Sequence, residues 1–167
     1  RIGKKCILGA NVNVGANVRI GNNCKIQNNV SVYEGVELED YVFCGPSMVF
    51  TNIMVPRSKY PQAESTYYQK TLVKEGASIG ANATIVCGVT LGRFSFIGAG
   101  AVVTKDVPDF AIIVGNPGKI VGWISEGGIR LDFEQNAEQF CEKSGMGYRL
   151  EKGRVVEIKK NLSEVLL

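Results

Sequence analysis

Apolar side chains recur at every sixth position from Ile2 through Leu8, Val14, Ile20, Ile26, Val32, Leu38, Cys44 and Phe50. A second series keeps the same step four residues later, through Cys6, Val12, Val18, Cys24, Val30, Val36, Val42 and Met48. Glycine follows the first series at Gly3, Gly9, Gly15, Gly21 and Gly45. The register is lost after Phe50 and resumes at Val73, Ile79, Ile85, Leu91, Ile97 and Val103, with Ala77, Ala83, Val89, Ser95, Ala101 and Val107 as companions. A step of six suits neither a helix, at 3.6, nor one amphipathic strand, at 2.0. It is three times two, so each hexapeptide reads as a short strand with inward side chains followed by a turn. Gly and Asn at the turns tolerate positive φ. Three such strands close a triangular coil of eighteen residues, and the chain predicts about five stacked coils.

Stacking makes residues eighteen apart neighbours. Cys6 then adjoins Cys24 in the core, where parallel side-chain directions and a reducing setting argue against a disulfide. Asn11 and Asn29 form a turn ladder. Tyr33 lies beneath Thr51 and Glu34 beneath Asn52, and Gln27 and Tyr33, which replace glycine in the repeat, mark one face.

Residues 53–72 break the repeat with two prolines, three tyrosines and several charges, and read as a protruding loop of the functional kind. The solenoid is expected to span 1–124, with Pro108 and the run from Ala111 to Lys119 in its last partial coil. Residues 125–167 form a capping tail. Within the tail, Tyr148, Leu150, Val155, Val156 and Ile158 flank a Glu151-Lys152-Gly153-Arg154 turn, which predicts a hairpin. Cys141-Glu-Lys-Ser144 has the spacing of a metal knuckle, but one sulfur does not hold zinc.

The net charge of +3, without a basic cluster, argues against nucleic acid and a membrane surface. No apolar run approaches the ~18 residues of a membrane span. The opening Arg1-Ile2-Gly3, with neither Met nor a signal-peptide pattern, reads as a trimmed or partial chain. Five cysteines with no C-x-x-C pair read as buried thiols in a cytoplasmic protein. Histidine is absent, which removes the commonest general base.

The [LIV]-Gly-x-x-x-x repeat, the segments Lys25–Val36, Gly45–Asn52, Gly80–Val89 and Gly98–Val103, and the Gly-Trp-Ile-Ser exit at 122–125 resemble the bacterial nucleotide-sugar N-acetyltransferases of the hexapeptide-repeat superfamily. The resemblance covers essentially the whole chain, and Gly45–Asn52 is its most specific part. It implies an all-β fold, a left-handed parallel β-helix with a protruding loop and a small C-terminal hairpin cap. It also implies a cytoplasmic homotrimer with active sites between subunits, and acetyl-CoA as co-substrate without a metal. The acceptor it implies is the 3-amino group of a UDP-2-acetamido-3-amino-glucuronate type sugar, in O-antigen or other surface polysaccharide synthesis. A dTDP-linked 3-amino-3,6-dideoxyhexose is the alternative acceptor, and a structural, non-catalytic solenoid the alternative role. A carbonic anhydrase-like centre, with zinc held by histidines, is excluded within this chain. Three departures stand out. The family's preceding segment, with Trp and His, is missing from the sequence given, Val55 replaces an Asn of the loop motif, and Gly118 replaces an Ala.

Acetyl transfer needs a neutral amine, a positioned thioester and donors for the developing oxyanion. Asn52, whose amide donates and accepts but is no base, is one catalytic candidate, acting by positioning; Glu34, as general base, is the rival. Gln27, Asn28, Tyr33, Arg57 and Lys59 are candidate substrate contacts, the two cations for pyrophosphate or carboxylate. By resemblance the cofactor set is Ser47, Ala81, Gly98, Ala99, Thr104, Lys105, Pro117 and Lys119, with backbone groups near Gly98 and Ala99 on the pantetheine amides and the lysines near the phosphates.

Overall fold

A computed structural model describes residues 1–62 and 64–158. The chain winds as short strands, three to a coil. β1 (Ile7–Leu8), β2 (Asn13–Val14) and β3 (Arg19–Ile20) make the first coil. β4 (Lys25–Ile26), β5 (Ser31–Val32) and β6 (Val36–Leu38) make the second. β7 (Phe43–Cys44), β8 (Val49–Phe50) and β9 (Thr71–Val73) make the third, interrupted by the loop. β10 (Ser78–Ile79), β11 (Thr84–Ile85) and β12 (Thr90–Leu91) make the fourth. β13 (Phe96–Ile97) and β14 (Val102–Val103) begin a fifth, whose third side is the parallel bridge of Val107 to Leu91.

Equivalent strands stack in parallel. Ile7 pairs with Lys25, Asn13 with Ser31 and Arg19 with Glu37, each eighteen residues on. Across the loop the offset becomes thirty-five, as Phe43 pairs with Ser78 and Val49 with Thr84. Three faces result. The first carries β1, β4, β7, β10 and β13, the second β2, β5, β8, β11 and β14, and the third β3, β6, β9 and β12.

Both apolar series point inward. Ile26, Val32, Cys44, Val73, Ile79, Ile85, Leu91 and Ile97 are fully buried in one continuous core. Successive coils approach so closely that a Cβ on Gly45 would lie 2.7 Å from the Ile79 carbonyl oxygen, which explains the glycine after the first series. A third column runs at the turns. Lys5, Asn11, Asn17, Asn23, Asn29, Gly35, Tyr41, Ser47, Gly76, Asn82, Gly88, Phe94 and Gly100, six apart on each side of the loop, all have positive φ. In register the next such position after Ser47 is Ile53, a β-branched residue for which that conformation is strongly disfavoured. The chain leaves the prism there.

Cys6 and Cys24 adjoin as free thiols, donating to the carbonyls of Gly21 and Glu39, each at 3.1 Å. Burial, with the neighbouring Cys6 adding to it, pushes the Cys24 thiol up to about 11. The Asn11 amide donates to Asn29 at 3.1 Å, the expected turn ladder.

The parallel coils end at β15 (Ala111–Val114), which continues the first face beside β13. β16 (Lys119–Ile124) and β17 (Arg130–Leu131) extend that sheet in antiparallel fashion. β18 (Glu138–Cys141), β19 (Met146–Glu151) and β20 (Arg154–Ile158) form a separate antiparallel sheet. The turn at Lys152-Gly153 joins β19 to β20, as the tail pattern predicts, and β18 adds a strand that the pattern does not. Residues 159–167 of the tail segment lie outside the described residues. The cap has its own small core of Phe110, Leu131, Cys141, Tyr148 and Val155. Arg93 fastens it, meeting Asp109 at 3.2 Å on the solenoid and Glu157 at 3.0 Å on β20. Among the described residues no helix is long and apolar enough to cross a membrane.

Ile85→Ala is expected to lower unfolding stability by ~2–5 kcal/mol, against ~0.5 or less for the adjacent outward Thr84→Ala, as read by denaturant titration. The hydroxyl of Ser95 is buried in the core without a partner among the described residues, so Ser95→Ala is expected to be neutral or stabilising by up to ~1 kcal/mol in the same titration.

Candidate functional site

The chain enters the second face at one edge of the prism and leaves it at the other, and the sequence-predicted residues divide between these edges. The entry edge carries Gln27 and Asn28 before β5, Ser47 before β8, Ala81 before β11, and Gly98 and Ala99 before β14. The exit edge carries Tyr33 and Glu34 after β5, Asn52 after β8, and Thr104 and Lys105 after β14. Between them the outward side chains of Ser31, Val49, Thr84 and Val102 carry no charge. Pro117 and Lys119 reach the same face from above, because the intervening Gly118 donates its amide to the Val102 carbonyl at 2.7 Å.

The exit edge is a ladder of side chains. Asn17 donates its amide to the Glu34 carboxylate at 2.9 Å. Asn52, one coil above Glu34, donates to the Glu34 backbone carbonyl at 3.4 Å. The two catalytic candidates are therefore vertical neighbours, but they meet through the main chain, and the Glu34 carboxylate is engaged by the coil below. Higher still, the Thr51 hydroxyl accepts the Cys87 amide at 2.9 Å, and Thr71 accepts that of Gly88 at 3.3 Å.

The loop springs from this ladder. It departs after Asn52 and is pinned on return where the Gln69 amide donates to the Asn52 carbonyl at 2.9 Å. Thr71, already in β9, ends it two residues before the boundary expected at 72. Inside the loop lies one 3-10 turn, Ser65–Tyr67. Arg57 is exposed and donates to the Pro56 carbonyl at 3.0 Å, and the Lys59 ammonium lies 5.8 Å from the Tyr60 ring centre. Both cations remain accessible to an anionic ligand. The Gln62 amide oxygen is buried with no donor among the described residues.

The entry edge is built more as scaffold. The Asn28 side chain accepts the Ala10 amide at 2.9 Å, and its carbonyl accepts that of Ser47 at 3.0 Å. The Gly98 amide is spent on the Ile113 carbonyl at 2.7 Å, so of the pair expected to hold pantetheine amides, Ala99 is the exposed one. Asn17, Thr51 and Gln69 are parts of the site that sequence reasoning missed. Asn17 had a signal, as an Asn in the turn column one coil below Glu34; the loop's closure at Gln69 had none.

Residues 1–34 and 70–105, the coils on either side of the loop, match the family model described as bacterial transferase hexapeptide (six repeats). The dTDP-3-amino-3,6-dideoxy-alpha-D-galactopyranose 3-N-acetyltransferase of Aneurinibacillus thermoaerophilus is 41% identical over 91 residues, 54% of this chain and 46% of that one. A 2,3,4,5-tetrahydropyridine-2,6-dicarboxylate N-acetyltransferase of Staphylococcus aureus is 34% identical over 85 residues, 51% of this chain and 32% of that one. A solved hexapeptide-repeat containing acetyltransferase of Vibrio cholerae, complexed with acetyl coenzyme A, matches with TM-score 0.65 and 28% identity, over 74% of this chain and 70% of that chain. The shared architecture is the left-handed parallel β-helix, the hand that the repeat alone leaves open. The chain spans less than half the length of these two curated relatives.

Thr51→Val keeps the shape of the side chain but leaves the Cys87 amide without its acceptor. Denaturant titration is expected to show a loss of ~1–3 kcal/mol, with Thr51→Ser close to the parent.

Proposed function

We propose, from the premise that the chain belongs to the hexapeptide-repeat transferases, that it is an acetyl-CoA-dependent N-acetyltransferase acting on the 3-amino group of a nucleotide-linked amino sugar. The observation that carries this reading is the 41% identity with a transferase whose name specifies that reaction. Gly45–Asn52 resembles enzymes for both UDP- and dTDP-linked acceptors, and this relative moves the preference to a dTDP-linked 3-amino-3,6-dideoxyhexose. The UDP-linked 3-amino uronate becomes the second acceptor to try. The product would feed surface polysaccharide synthesis, and acetyl-CoA supply favours the cytoplasm.

The chemistry suits a site without histidine. The unprotonated sugar amine attacks the thioester carbonyl, a tetrahedral oxyanion forms, and the C–S bond breaks to release CoA. The amine proton passes to the departing thiolate, through water where needed. Holding the two reactants together supplies up to ~7–11 kcal/mol in the best intramolecular cases. Asn52 presents a neutral amide at the loop's neck, able to orient the amine or donate to the oxyanion. Glu34, held by Asn17, serves in this reading to shape the edge. Arg57 and Lys59 would meet the pyrophosphate, and Lys105 and Lys119 the CoA phosphates, with Ala99, Ser47, Ala81, Thr104 and Pro117 along the pantetheine path. Three copies side by side would each contribute one edge of the second face to a shared groove.

CoA release measured over a panel of dTDP- and UDP-3-amino sugars tests the reading. Turnover is expected with the dTDP-3-amino sugar first, and the absence of turnover with every 3-amino sugar would instead favour a structural solenoid. Asn52→Ala is expected to lower kcat by ~10²–10³, the range for loss of one oxyanion donor. Glu34→Gln is expected to stay within about threefold of the parent, since only the carboxylate's contact with Asn17 changes. The opposite pair of results would make Glu34 the base.

A further inference from the structure

Closing a solenoid needs a polar lid, yet the C-terminal cap contains a second, more elaborate construction. Two hairpin turns face each other, Ser125–Ile129 between β16 and β17, and Glu142–Gly145 between β18 and β19. In the first, the Gly128 amide donates to the Ser125 carbonyl at 2.9 Å, and the Ser125 hydroxyl accepts the Ile129 amide at 3.0 Å. In the second, the Gly145 amide donates to the Cys141 carbonyl at 2.8 Å. Burial, which raises the Cys141 thiol there, is outweighed by hydrogen bonding from the Ser125 and Ser144 side chains and the Ser144 and Lys143 backbone, which brings it down to about 7.

The turns share a design. Each ends in a glycine of positive φ, Gly128 at +83° and Gly145 at +72°. In each, the residue before that glycine sits at the centre: a Cβ on Gly127 would lie 2.8 Å from the Cys141 sulfur, and the Ser144 side chain hydrogen-bonds that sulfur. In each, a residue shortly upstream faces the same point, as Ser125 donates its hydroxyl to the Cys141 sulfur at 3.2 Å. Four positions, 125, 127, 141 and 144, thus converge from two facing turns. Short-spaced pairs on two hairpins are how zinc ribbons bring four thiolates onto one tetrahedral ion. Amides turned onto a sulfur are likewise the support that a ligating thiolate requires and a neutral buried thiol does not.

Only Cys141 carries sulfur. The other positions are Ser, Gly and Ser, and one thiol with two hydroxyls is no zinc site. Gly127 lets the turns close to hydrogen-bonding range, nearer than a fourth ligand and an ion with bonds of ~2.3 Å would allow. Tyr148 completes the closure: its hydroxyl accepts the Glu126 amide at 3.1 Å and lies 3.4 Å from the Ser144 hydroxyl. Its ring meets Phe110 edge-on at 5.3 Å, which ties this centre to the solenoid. We propose that the cap is a zinc-ribbon scaffold whose centre is closed by hydrogen bonds among Ser125, Cys141, Ser144 and Tyr148 in place of a metal ion. Its folding is thereby independent of metal supply.

The test restores the missing thiols. The full chain carrying Ser125→Cys, Gly127→Cys and Ser144→Cys is titrated with Co²⁺ under reducing conditions. One equivalent is expected to give the visible absorption of a tetrahedral thiolate site, to be displaced by Zn²⁺, and to raise Tm. The parent is expected to give no such spectrum, and its Tm to be unmoved by a chelator. Tyr148→Phe is expected to lower Tm in the parent more than in the metal-loaded triple variant. A triple variant with the parent's circular dichroism but no tetrahedral Co²⁺ overturns the proposal. So does a variant that folds neither with nor without the ion, or a parent whose Tm falls with chelator. Folding of the variant only in the presence of metal supports it.

Discussion

Every coil is hydrogen-bonded to the coil above and below through a parallel ladder, and that ladder fixes the length of each turn of the prism. A residue added or lost inside a coil would move every later inward side chain to the outer face, because strand side chains alternate. The fold therefore permits irregularity as an excursion that leaves and re-enters at the same rung, or as a change of two residues that keeps the alternation, as in the sixteen-residue step from Leu91 to Val107 and from Phe96 to Ile112. The loop obeys this rule. Thr71 resumes the column of Val18 and Val36 and pairs with Val36 across the ladder, although the stretch between has no repeat at all. Residue 53, where a left-handed conformation is due and an Ile stands, is where the regular path gives way.

The same constraint builds the site. Since equivalent corners stack, polar side chains at one edge become a vertical row without any contact being specified locally. Asn17, Glu34 and Asn52, drawn from three coils, form such a row, and Gln69 locks the loop's neck onto it. The loop leaves from one edge of a face whose outward strand residues are uncharged, and it carries the exposed cations Arg57 and Lys59. A scaffold too stiff to bend departs from its flat faces by adding a loop at an edge.

The solenoid was legible because one number, six, sets both the inward pattern and the stacking. The eighteen-residue arithmetic that places Glu34 beneath Asn52 needs nothing else. It stops short at side-chain direction: which atoms of Glu34 meet Asn52, and which meet Asn17, depends on rotamers that no spacing records. The Gly98 amide, expected to face a ligand, is taken by Ile113 because the first face continues into β15, a continuation hidden by the end of the repeat. The cap was legible only where alternation is strong, in β19 and β20. Strand β18, Glu138-Gln139-Phe140-Cys141, has no such pattern and is a strand because its partner β19 pairs with it.

The junction between solenoid and cap follows from the turn column as well. Left-handed positions favour Asn and Gly, yet Phe94 and Phe110 occupy two of them, at φ of 51° and 63°. The cost is offset by what these side chains do together. Their rings stack at 5.7 Å, Arg93 lies 5.6 Å from the Phe110 ring centre, and Tyr148 closes on the other side of that ring. Aromatic pairs and a cation over a ring each contribute ~0.5–1.5 kcal/mol, comparable to the conformational cost of a left-handed residue, ~1–3 kcal/mol. Tyr41 holds the same conformation in the open, at φ 60°, but Phe94 and Phe110 lie where a second body covers them. Their place in the column marks where the repeating prism ends and an independently packed cap must begin.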